Sequence, residues 1–337
     1  MKKTILITGG LGFIGSHTAV ELIKEGFDVV IVDNQVNSES FILDRIEQIT
    51  GYLPMYYFAD VCDELVIKQI FENHQIDAVI HFAALKAVGE SVGKPIKYYK
   101  NNINSLLSIL SLMEKFDCSF IVFSSSATVY GDSDKFPIDE TFLFKQSLSA
   151  YGSTKQFGED ILEKVSNSSC IKSIALRYFN PVGAHPSGLL GELPIGKPNN
   201  LMPYLTQFAA NKLDNFTVYG NDYSTKDGTC LRDYIHVVDL AKAHVRSCIF
   251  LLEDKNVKSF DAINIGTGKA NSVLELITKF EEVNHVKLNY KIGNRRLGDA
   301  EVIYGSVDKA YNVLKWKAEL TLDDMVRDAW NWQVNIS

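Results

Sequence analysis

Short segments dominated by Ile, Val and Phe recur along the first half of this chain. They lie at residues 4–8, 28–33, 78–83, 120–125 and 173–179. Because these runs are apolar at successive positions and do not alternate with polar residues, they are typical of strands buried on both faces. The pattern therefore predicts five strands inside a sheet that is covered on both sides.

Segments with helical periodicity lie between these runs. The clearest occupy residues 16–26, about 96–116 and 151 to about 165. Regular alternation of strand and helix favours right-handed βαβ units. We therefore predict an α/β fold with a doubly wound parallel sheet, the Rossmann arrangement.

The local composition of the chain changes near residue 180, where Pro and Gly begin to cluster. The later part mixes short strands with helical segments at about 203–212, 237–252, 271–284 and 321–335. We predict a Rossmann domain over residues 1–180 and a second, smaller α/β domain over residues 181–337. Some later segments are expected to pack back on the first domain.

Composition limits the class of protein. The 337 residues are 46% hydrophobic and 22% charged, and their net charge of −7 is unfavourable for binding nucleic acid or an anionic membrane. No uninterrupted apolar run approaches the ~18 residues that span a bilayer. We therefore expect a soluble, cytoplasmic protein whose partners include neither nucleic acid nor membrane.

The cysteines and histidines indicate no further chemistry. The five cysteines are widely spaced, with an odd total and no C-x-x-C pair, which favours reduced thiols that serve as packing residues. The seven histidines show no H-E-x-x-H or comparable spacing. No metal site is predicted.

A glycine motif follows the first predicted strand. The segment "TGGLGFIGSH" places Gly9, Gly12 and Gly15 where that strand meets a helix. Such glycines permit a tight turn and a close approach of the backbone to a pyrophosphate at the helix N-terminus. The second strand ends in Asp33, which suits ribose hydroxyls and would repel a 2′-phosphate, so NAD is expected over NADP. A glycine-rich turn without a ligand is the alternative.

A tyrosine and a lysine stand four residues apart in "SAYGSTK". On a helix, Tyr151 and Lys155 share one face and can project into one cleft. A nearby ammonium favours the phenolate, and lowering the phenol pKa from about 10 to neutrality requires roughly 4 kcal/mol. The alternative is an ordinary surface pair, with the lysine stem lying along the ring.

Three serines, Ser124, Ser125 and Ser126, stand at the end of the fourth predicted strand. Ligands of open α/β sheets bind at the carboxyl ends of strands, where a hydroxyl can hold or relay a proton. At least one of these serines is expected only to satisfy loose backbone groups.

A strand-end serine, Tyr151 and Lys155 beside a dinucleotide fold resemble the catalytic set of the extended short-chain dehydrogenase/reductase family. Within that family the chain is similar, in order, to enzymes that epimerise a UDP-hexose. The segments that carry this likeness are "HFAALKAVGES", "SSSATVYG", "LRYFNPVGAHPSG", "PNNLMPY", "RDYIHVVDLA" and "RRLGDA". The likeness covers essentially the whole chain.

The resemblance implies an activity. NAD would stay bound, Tyr151 would take the proton of the sugar 4-OH with Lys155 and Ser126 as its partners, and hydride would leave C4 and return to the other face. UDP-glucose and UDP-galactose would be interconverted, as in galactose metabolism. The segment at 99–116 and the helix that begins at Tyr151 would form a homodimer.

The resemblance also implies which residues hold each ligand. The expected cofactor-binding set is Gly9, Gly12, Phe13, Ile14, Gly15, Asp33, Asn34, Asn37, Ser38, Asp60, Val61, Phe82, Ala83, Ala84, Lys86, Asn101, Ser124, Tyr151, Lys155, Tyr178 and Phe179. The expected substrate-binding set is Ser126, Tyr151, Asn180, Asn200, Leu201, Thr217, Val218, Tyr219, Arg232, Arg296, Asp299 and Ile303. Arg295 is expected to be a solvated neighbour of the diphosphate ligands Arg232 and Arg296.

Ile303 stands at a position where, in proteins resembling this one, a tyrosine is associated with rejecting a 2-N-acetyl group. Isoleucine is smaller than tyrosine, so we expect some epimerisation of UDP-N-acetylglucosamine, with UDP-glucose and UDP-galactose preferred. The alternative is that Tyr304 sets the size of the pocket.

Two other functions are weighed. A sugar-nucleotide 4,6-dehydratase places an acidic pair after the strand-end hydroxyl, and here those positions are Ala127 and Thr128. A non-catalytic NAD-sensing module would keep the glycines and lose the catalytic set, which this chain retains. Both alternatives are therefore disfavoured.

Overall fold

The computed structural model describes residues 2–133, 135–147, 149–254, 258–296 and 299–336. The strands are β1 (Thr4–Thr8), β2 (Asp28–Asp33), β3 (Met55–Phe58), β4 (Ala78–His81), β5 (Phe120–Ser124), β6 (Lys172–Tyr178), β7 (Asn180–Val182), β8 (Thr217–Tyr219), β9 (Leu231–Arg232), β10 (Tyr234–His236), β11 (Phe260–Ile265), β12 (Asn271–Ser272), β13 (Lys291–Gly293) and β14 (Val302–Ile303). The α-helices are α1 (Phe13–Lys24), α2 (Ile42–Thr50), α3 (Glu64–Asn73), α4 (Val88–Gly93), α5 (Pro95–Lys115), α6 (Ala150–Ser168), α7 (Leu201–Ala209), α8 (Val237–Glu253), α9 (Val273–Asn284) and α10 (Leu322–Asn335). A 3₁₀ turn covers Ala127–Tyr130 and a π turn covers Ala310–Leu314.

Seven parallel strands form the main sheet, in the order β11-β6-β5-β4-β1-β2-β3. One face is covered by α1, α2 and α8, and the other by α3, α5 and α6, each with its own apolar cluster. The central strands are therefore buried on both sides, as their uninterrupted apolar runs require. This architecture confirms the predicted doubly wound α/β fold.

The sequence pattern missed two strands of this sheet and misplaced the boundaries of two other elements. β3 is a four-residue edge strand with a half-exposed surface, so it lacks a continuous apolar run. β11 comes late in the chain, yet it pairs in parallel with β6 along its whole length. Helix α1 begins at Phe13, three residues before the predicted start, because Gly12 takes the N-cap position. Strand β4 ends at His81, two residues early, where the chain turns into a cleft.

The remaining strands form small sheets that pack with α7, α9 and α10. These sheets pair β7 with β10, β8 with β13, and β9 with both β12 and β14. Their shared core includes Leu205, Phe216, Phe280 and Val326. The smaller α/β unit therefore has its own apolar core. In contrast, β11 belongs to the main sheet and α8 packs on that sheet.

The cysteines are free thiols, but they do not all pack in the interior. Cys118, Cys230 and Cys248 are buried, Cys62 is half-buried and Cys170 is exposed. The predicted packing role is wrong for Cys170, because it lies in the surface turn between α6 and β6.

Membrane-spanning helices and metal-binding clusters are both absent from the described part of the chain. Its helices include none that is both long and apolar enough to cross a membrane. The same residues contain no group of three or more His, Cys, Asp or Glu side chains that could hold a metal ion.

Candidate active site

An open cleft with an empty volume of about 1040 Å³ lies where β1, β2, β4 and β5 end. Its lining contains every residue of the expected cofactor-binding set except Phe179. Successive residues point to opposite sides of a strand end, so Tyr178 faces the cleft while the Phe179 ring lies against the position of Gly305. The Phe179 side chain therefore does not line this cleft.

The cleft also contains residues that sequence reasoning missed. They are Val36, Ala59, Leu85 and Ser105. The first three adjoin predicted residues along the chain, and Ser105 lies one helical turn beyond Asn101. Helical spacing from Asn101 was the one signal that could have found Ser105.

The glycine turn at the base of the cleft has no room for side chains. Gly9 has a φ of +70°, and a Cβ there would stand 2.9 Å from the Ala83 amide nitrogen. A Cβ on Gly15 would stand 2.3 Å from the Gly9 carbonyl oxygen. The backbone is therefore packed tightly at the start of α1, where N–H groups and the helix dipole favour a phosphate.

Asp33 is held in a defined orientation at the end of β2. Its Oδ1 accepts from the Gln35 amide at 2.8 Å and from the Ser38 hydroxyl at 2.8 Å, and its Oδ2 accepts from the Leu11 amide at 3.0 Å. A carboxylate oxygen can accept two hydrogen bonds, so Oδ2 retains one acceptor position. The glycine turn and this carboxylate fit a dinucleotide with unmodified ribose hydroxyls.

Tyr151 and Lys155 lie on one face of α6 and both line the cleft. The helix begins there because the Ser149 side chain accepts from the Gly152 amide at 3.1 Å, as an N-cap. The Lys155 Nζ lies 5.8 Å from the centroid of the Tyr151 ring and 4.8 Å from that of Phe123. It donates to the Ser124 carbonyl oxygen at 2.6 Å.

Burial dominates the proton affinities of this pair. It raises the pKa of the Tyr151 phenol, the neighbouring Tyr178 adds to the rise, and hydrogen bonding from Ser126 opposes it. Burial also lowers the pKa of Lys155 to about 8. Burial therefore opposes the phenolate that the cation of Lys155 is expected to favour, and the Lys155 ammonium also donates to the Ser124 carbonyl.

The strand-end serines have different partners. The Ser124 hydroxyl and the Tyr178 hydroxyl are 2.8 Å apart. Ser125 donates to the carboxylate of Glu159, away from the cleft. The Ser126 hydroxyl is next to Tyr151 and also accepts from the Thr128 amide at 3.2 Å. Ser126 thus satisfies a backbone group, as expected for at least one of the three serines, and its hydroxyl also lies beside the phenol.

The expected nucleotide ligands lie in the smaller unit and do not line the dinucleotide cleft. The Arg296 guanidinium lies 5.2 Å from the centroid of the Tyr219 ring, and its Nε donates to Asp299 at 2.9 Å. Arg232 and Ile303 are register partners on β9 and β14. These two short strands therefore bring residues from two distant segments together.

Other members of the substrate-binding set are placed individually. Asn180 begins β7, Leu201 begins α7 and Thr217 begins β8. Asn200 donates to Glu192 at 2.7 Å, and Glu192 also accepts from Lys86 at 3.2 Å. Sequence reasoning gave Glu192 no role.

Two side chains have surroundings that the sequence did not indicate. Val218 is 2% exposed and packs in the core of the smaller unit, so its side chain is not available to a ligand. Arg295 is exposed, as expected, and its Nε also donates to Asp222 at 2.7 Å while its guanidinium stacks 4.1 Å from the Tyr223 ring centroid.

This chain is similar to known proteins over nearly its whole length. The family model described as "GDP-mannose 4,6 dehydratase" matches residues 6–329. The UDP-glucose 4-epimerase of Bacillus subtilis is 48% identical over 330 residues, 98% of this chain and 96% of that protein. A UDP-glucose 4-epimerase from Stenotrophomonas maltophila, solved with NAD and formylated UDP-arabinopyranose, is 45% identical with a TM-score of 0.96, covering 99% and 98% of the two chains. One from Bifidobacterium longum, with NAD⁺ and UDP, is 48% identical with a TM-score of 0.93, covering 99% and 98%.

Proposed function

This chain belongs to the UDP-glucose 4-epimerase family, and from that premise we propose that it interconverts UDP-glucose and UDP-galactose with NAD as its cofactor. The observation that carries the proposal is the placement of Tyr151 and Lys155 on the wall of the dinucleotide cleft, with Ser126 beside the phenol. Tyr151 would then take the proton of the sugar hydroxyl beside the cofactor that accepts hydride from the adjoining carbon.

NAD, when bound, supplies the hydride acceptor at sugar C4 and a positive charge near the phenol. The Tyr151 oxygen accepts the proton of the 4-OH as the C4–H bond breaks, and it returns that proton when hydride comes back to the opposite face. Ser126 donates to the phenol oxygen and favours its anionic form. The buried cation of Lys155 acts in the same direction, because a nearby positive charge favours the phenolate.

The nucleotide is held by the smaller unit. We assign Arg232 and Arg296 to the diphosphate, since guanidinium groups match phosphate oxygens. The exposed Tyr219 ring is available for stacking on the uracil, and Asp299 for binding a ribose hydroxyl. A fixed nucleotide leaves the sugar free to turn between the two hydride transfers.

A 4,6-dehydratase is the second candidate, because the matching family model carries that description. Elimination of water requires a proton donor beside the strand-end hydroxyl. The 3₁₀ turn that follows Ser126 supplies Ala127 and Thr128 at those positions, and neither is a carboxylic acid. The sequences of the relatives and this turn both favour epimerisation.

The assembly and the setting are further parts of the proposal. We propose a cytoplasmic homodimer that serves galactose metabolism, built on α5 and α6. Support comes from apolar side chains that these two helices leave exposed, including Ile96, Leu107 and Phe157. We also retain residues 1–180 and 181–337 as the two domains, with α8 and β11 returning to the first.

We further propose that N-acetylated UDP-sugars are slow substrates. The Tyr304 ring stacks on Phe136, with centroids 5.8 Å apart. Successive residues of an extended segment point to opposite faces, so the Ile303 side chain at the end of β14 points away from Phe136. This favours Ile303 over Tyr304 as the residue that limits the pocket. Ile303→Tyr should remove turnover of UDP-N-acetylglucosamine and leave UDP-galactose turnover intact; an unchanged ratio would exclude this role.

The test of the main proposal uses the purified chain with UDP-galactose and no added NAD. We expect UDP-glucose to form, and denatured protein to release about one NAD per chain. Formation of a 4-keto-6-deoxy sugar would support the dehydratase, and the absence of any reaction with NAD present would support a sensing module.

A further inference from the structure

Three consecutive serines meet three residues of helix α6 that are spaced four apart. The Ser124 carbonyl accepts from Lys155 at 2.6 Å, the Ser125 hydroxyl donates to Glu159, and the Ser126 hydroxyl contacts the Tyr151 phenol. Residues at this spacing form one stripe along a helix. The strand end and the helix are thus joined at three successive points, and only the middle one has no catalytic role.

Glu159 is fixed by the sheet. It is 2% exposed and accepts from the Arg177 Nε at 3.0 and 3.1 Å, so a strand-borne guanidinium faces both carboxylate oxygens. Arg177 Nη1 in turn donates to the Tyr130 hydroxyl at 3.1 Å, and that hydroxyl donates to Asn264 at 2.6 Å. The carboxylate is therefore held by β6, and through Tyr130 by β11.

The hydrogen bond from Ser125 is not needed to compensate the charge of Glu159. A buried carboxylate paired with arginine already has its charge compensated. The additional hydrogen bond ties the residue between Ser124 and Ser126 to the fixed carboxylate. Since misplacement of a reacting group by ~1 Å can reduce the rate about a hundredfold, a tether at this point has a catalytic consequence.

We propose that Glu159 is a positioning residue for epimerisation, acting through Ser125 to hold the Ser124 carbonyl on Lys155 and the Ser126 hydroxyl on Tyr151. This inference rests on the proposed function. Glu159 also acts on Lys155 electrostatically. Its negative charge raises the pKa of the ammonium, whereas burial lowers it.

The charges around Lys155 come from several elements. Tyr151 and Glu159 lie on the same helix, the Arg177 partner of Glu159 lies on β6, and His81 lies on β4. Burial lowers the pKa of His81 to about 3, so it is neutral wherever the enzyme is assayed. Loss of the Glu159 charge leaves Arg177 uncompensated and should make Lys155 lose its proton at lower pH.

The first test is Ser125→Ala, which removes the tether and keeps the Glu159–Arg177 ion pair. We expect kcat with UDP-galactose to fall about tenfold, KM to stay unchanged, and bound NAD to stay at the wild-type content. Ser125→Thr restores a hydroxyl and should recover most of the rate. The matched control is Ser166→Ala, because Ser166 is also buried on α6 and its hydroxyl lies 2.7 Å from that of Ser173.

The second test is Glu159→Gln, followed by its pH profile. The fall of kcat at high pH should begin at least about one pH unit lower than in wild type. Equal kcat values for Ser125→Ala and Ser166→Ala would overturn the proposal, even if Glu159→Gln failed to fold. Lack of epimerase activity in the wild-type protein would instead overturn the proposed function itself.

Discussion

At the scale of single residues, the chemistry depends on a phenol whose surroundings favour its neutral form. Burial raises the pKa of Tyr151, and the lysine on which the sequence argument relied is bound to a backbone carbonyl. A bound nicotinamide would add a positive charge that favours the phenolate. This is consistent with a base that becomes active only in the complete complex.

Tyr151→Phe removes one oxygen atom and should leave the fold intact. We expect kcat to fall by roughly 1,000-fold, because the oxygen that accepts the proton of the 4-OH is lost. Lys155→Met should reduce kcat to a similar degree, since the positive charge is lost. Steady-state rates and bound NAD measured on both variants test this; a Tyr151→Phe variant with normal turnover would exclude the assignment.

Sequence reasoning brought Tyr151 and Lys155 to one helix face beside the cleft and separated the three serines poorly. The glycines, Asp33, Tyr151 and Lys155 could be found because local spacing fixes their position on a strand end or a helix face. The partner of Ser125 lies 34 positions away, so nothing in the local pattern distinguished it from its neighbours. The contacts of the exposed Arg295 escaped prediction for the same reason, since Asp222 and Tyr223 lie more than 70 positions earlier.

At the scale of elements, helix α6 lies close to the sheet at a glycine. A Cβ on Gly158 would stand 2.7 Å from the end of the Phe123 ring, and that ring lies beneath the Lys155 ammonium. Any side chain at position 158 must therefore displace the ring that contacts the lysine. The close helix–sheet approach and the geometry of the site depend on the same residue.

Gly158→Ala should lower the free energy of unfolding by about 1–3 kcal/mol and also reduce kcat, because overpacking outweighs the better helix propensity of alanine. Gly89→Ala in α4 is the control, since no atom lies within 4 Å of its added Cβ. The control should be neutral or slightly stabilising. Urea unfolding of the two variants measures this, and equal stability would contradict the packing argument.

Elements with strong periodicity were predicted, and those that depend on distant partners were not. α5 and α6 have clear apolar faces of several turns, so their existence follows from local pattern. β11 is the seventh strand of the main sheet because it pairs with β6 at the edge of that sheet. The two paired segments lie about 90 residues apart in the chain. The assignment of this strand to the main sheet therefore required the three-dimensional structure.

At the scale of the whole molecule, buried histidines link stability to pH. Burial lowers the pKa of His17 and His81 to about 3 and that of His244 to about 4. An unfolded histidine ionises near 6.5, so below that pH the unfolded chain binds more protons than the folded one. The stabilisation is fully present above pH ~6.5 and is lost as the pH falls.

Urea unfolding at about pH 7.5 and pH 5.5 should show a loss of about 1 kcal/mol for each buried histidine. His244→Asn should flatten this dependence, because it removes one of the groups that take up protons on unfolding. His285→Asn is the control, since His285 is exposed at the end of α9. Identical pH slopes for wild type and His244→Asn would rule out this linkage.

The proposed homodimer would bury apolar side chains that α5 and α6 leave exposed. α5 and α6 pack together and leave Leu107 at 45% and Phe157 at 51% exposure, which is unfavourable for apolar side chains on neighbouring helices unless a partner covers them. A second copy of the chain can cover both by packing the same two helices against them, in a twofold arrangement.

Leu107→Glu/Phe157→Glu should convert the dimer into a monomer, because four carboxylates would meet in the interface. Leu65→Glu/Val334→Glu adds the same charge at exposed apolar positions on α3 and α10 and should stay dimeric. Sedimentation equilibrium of wild type and both variants measures the mass directly. A monomeric wild type, or equal dissociation of the two double variants, would show that α5 and α6 do not form the interface.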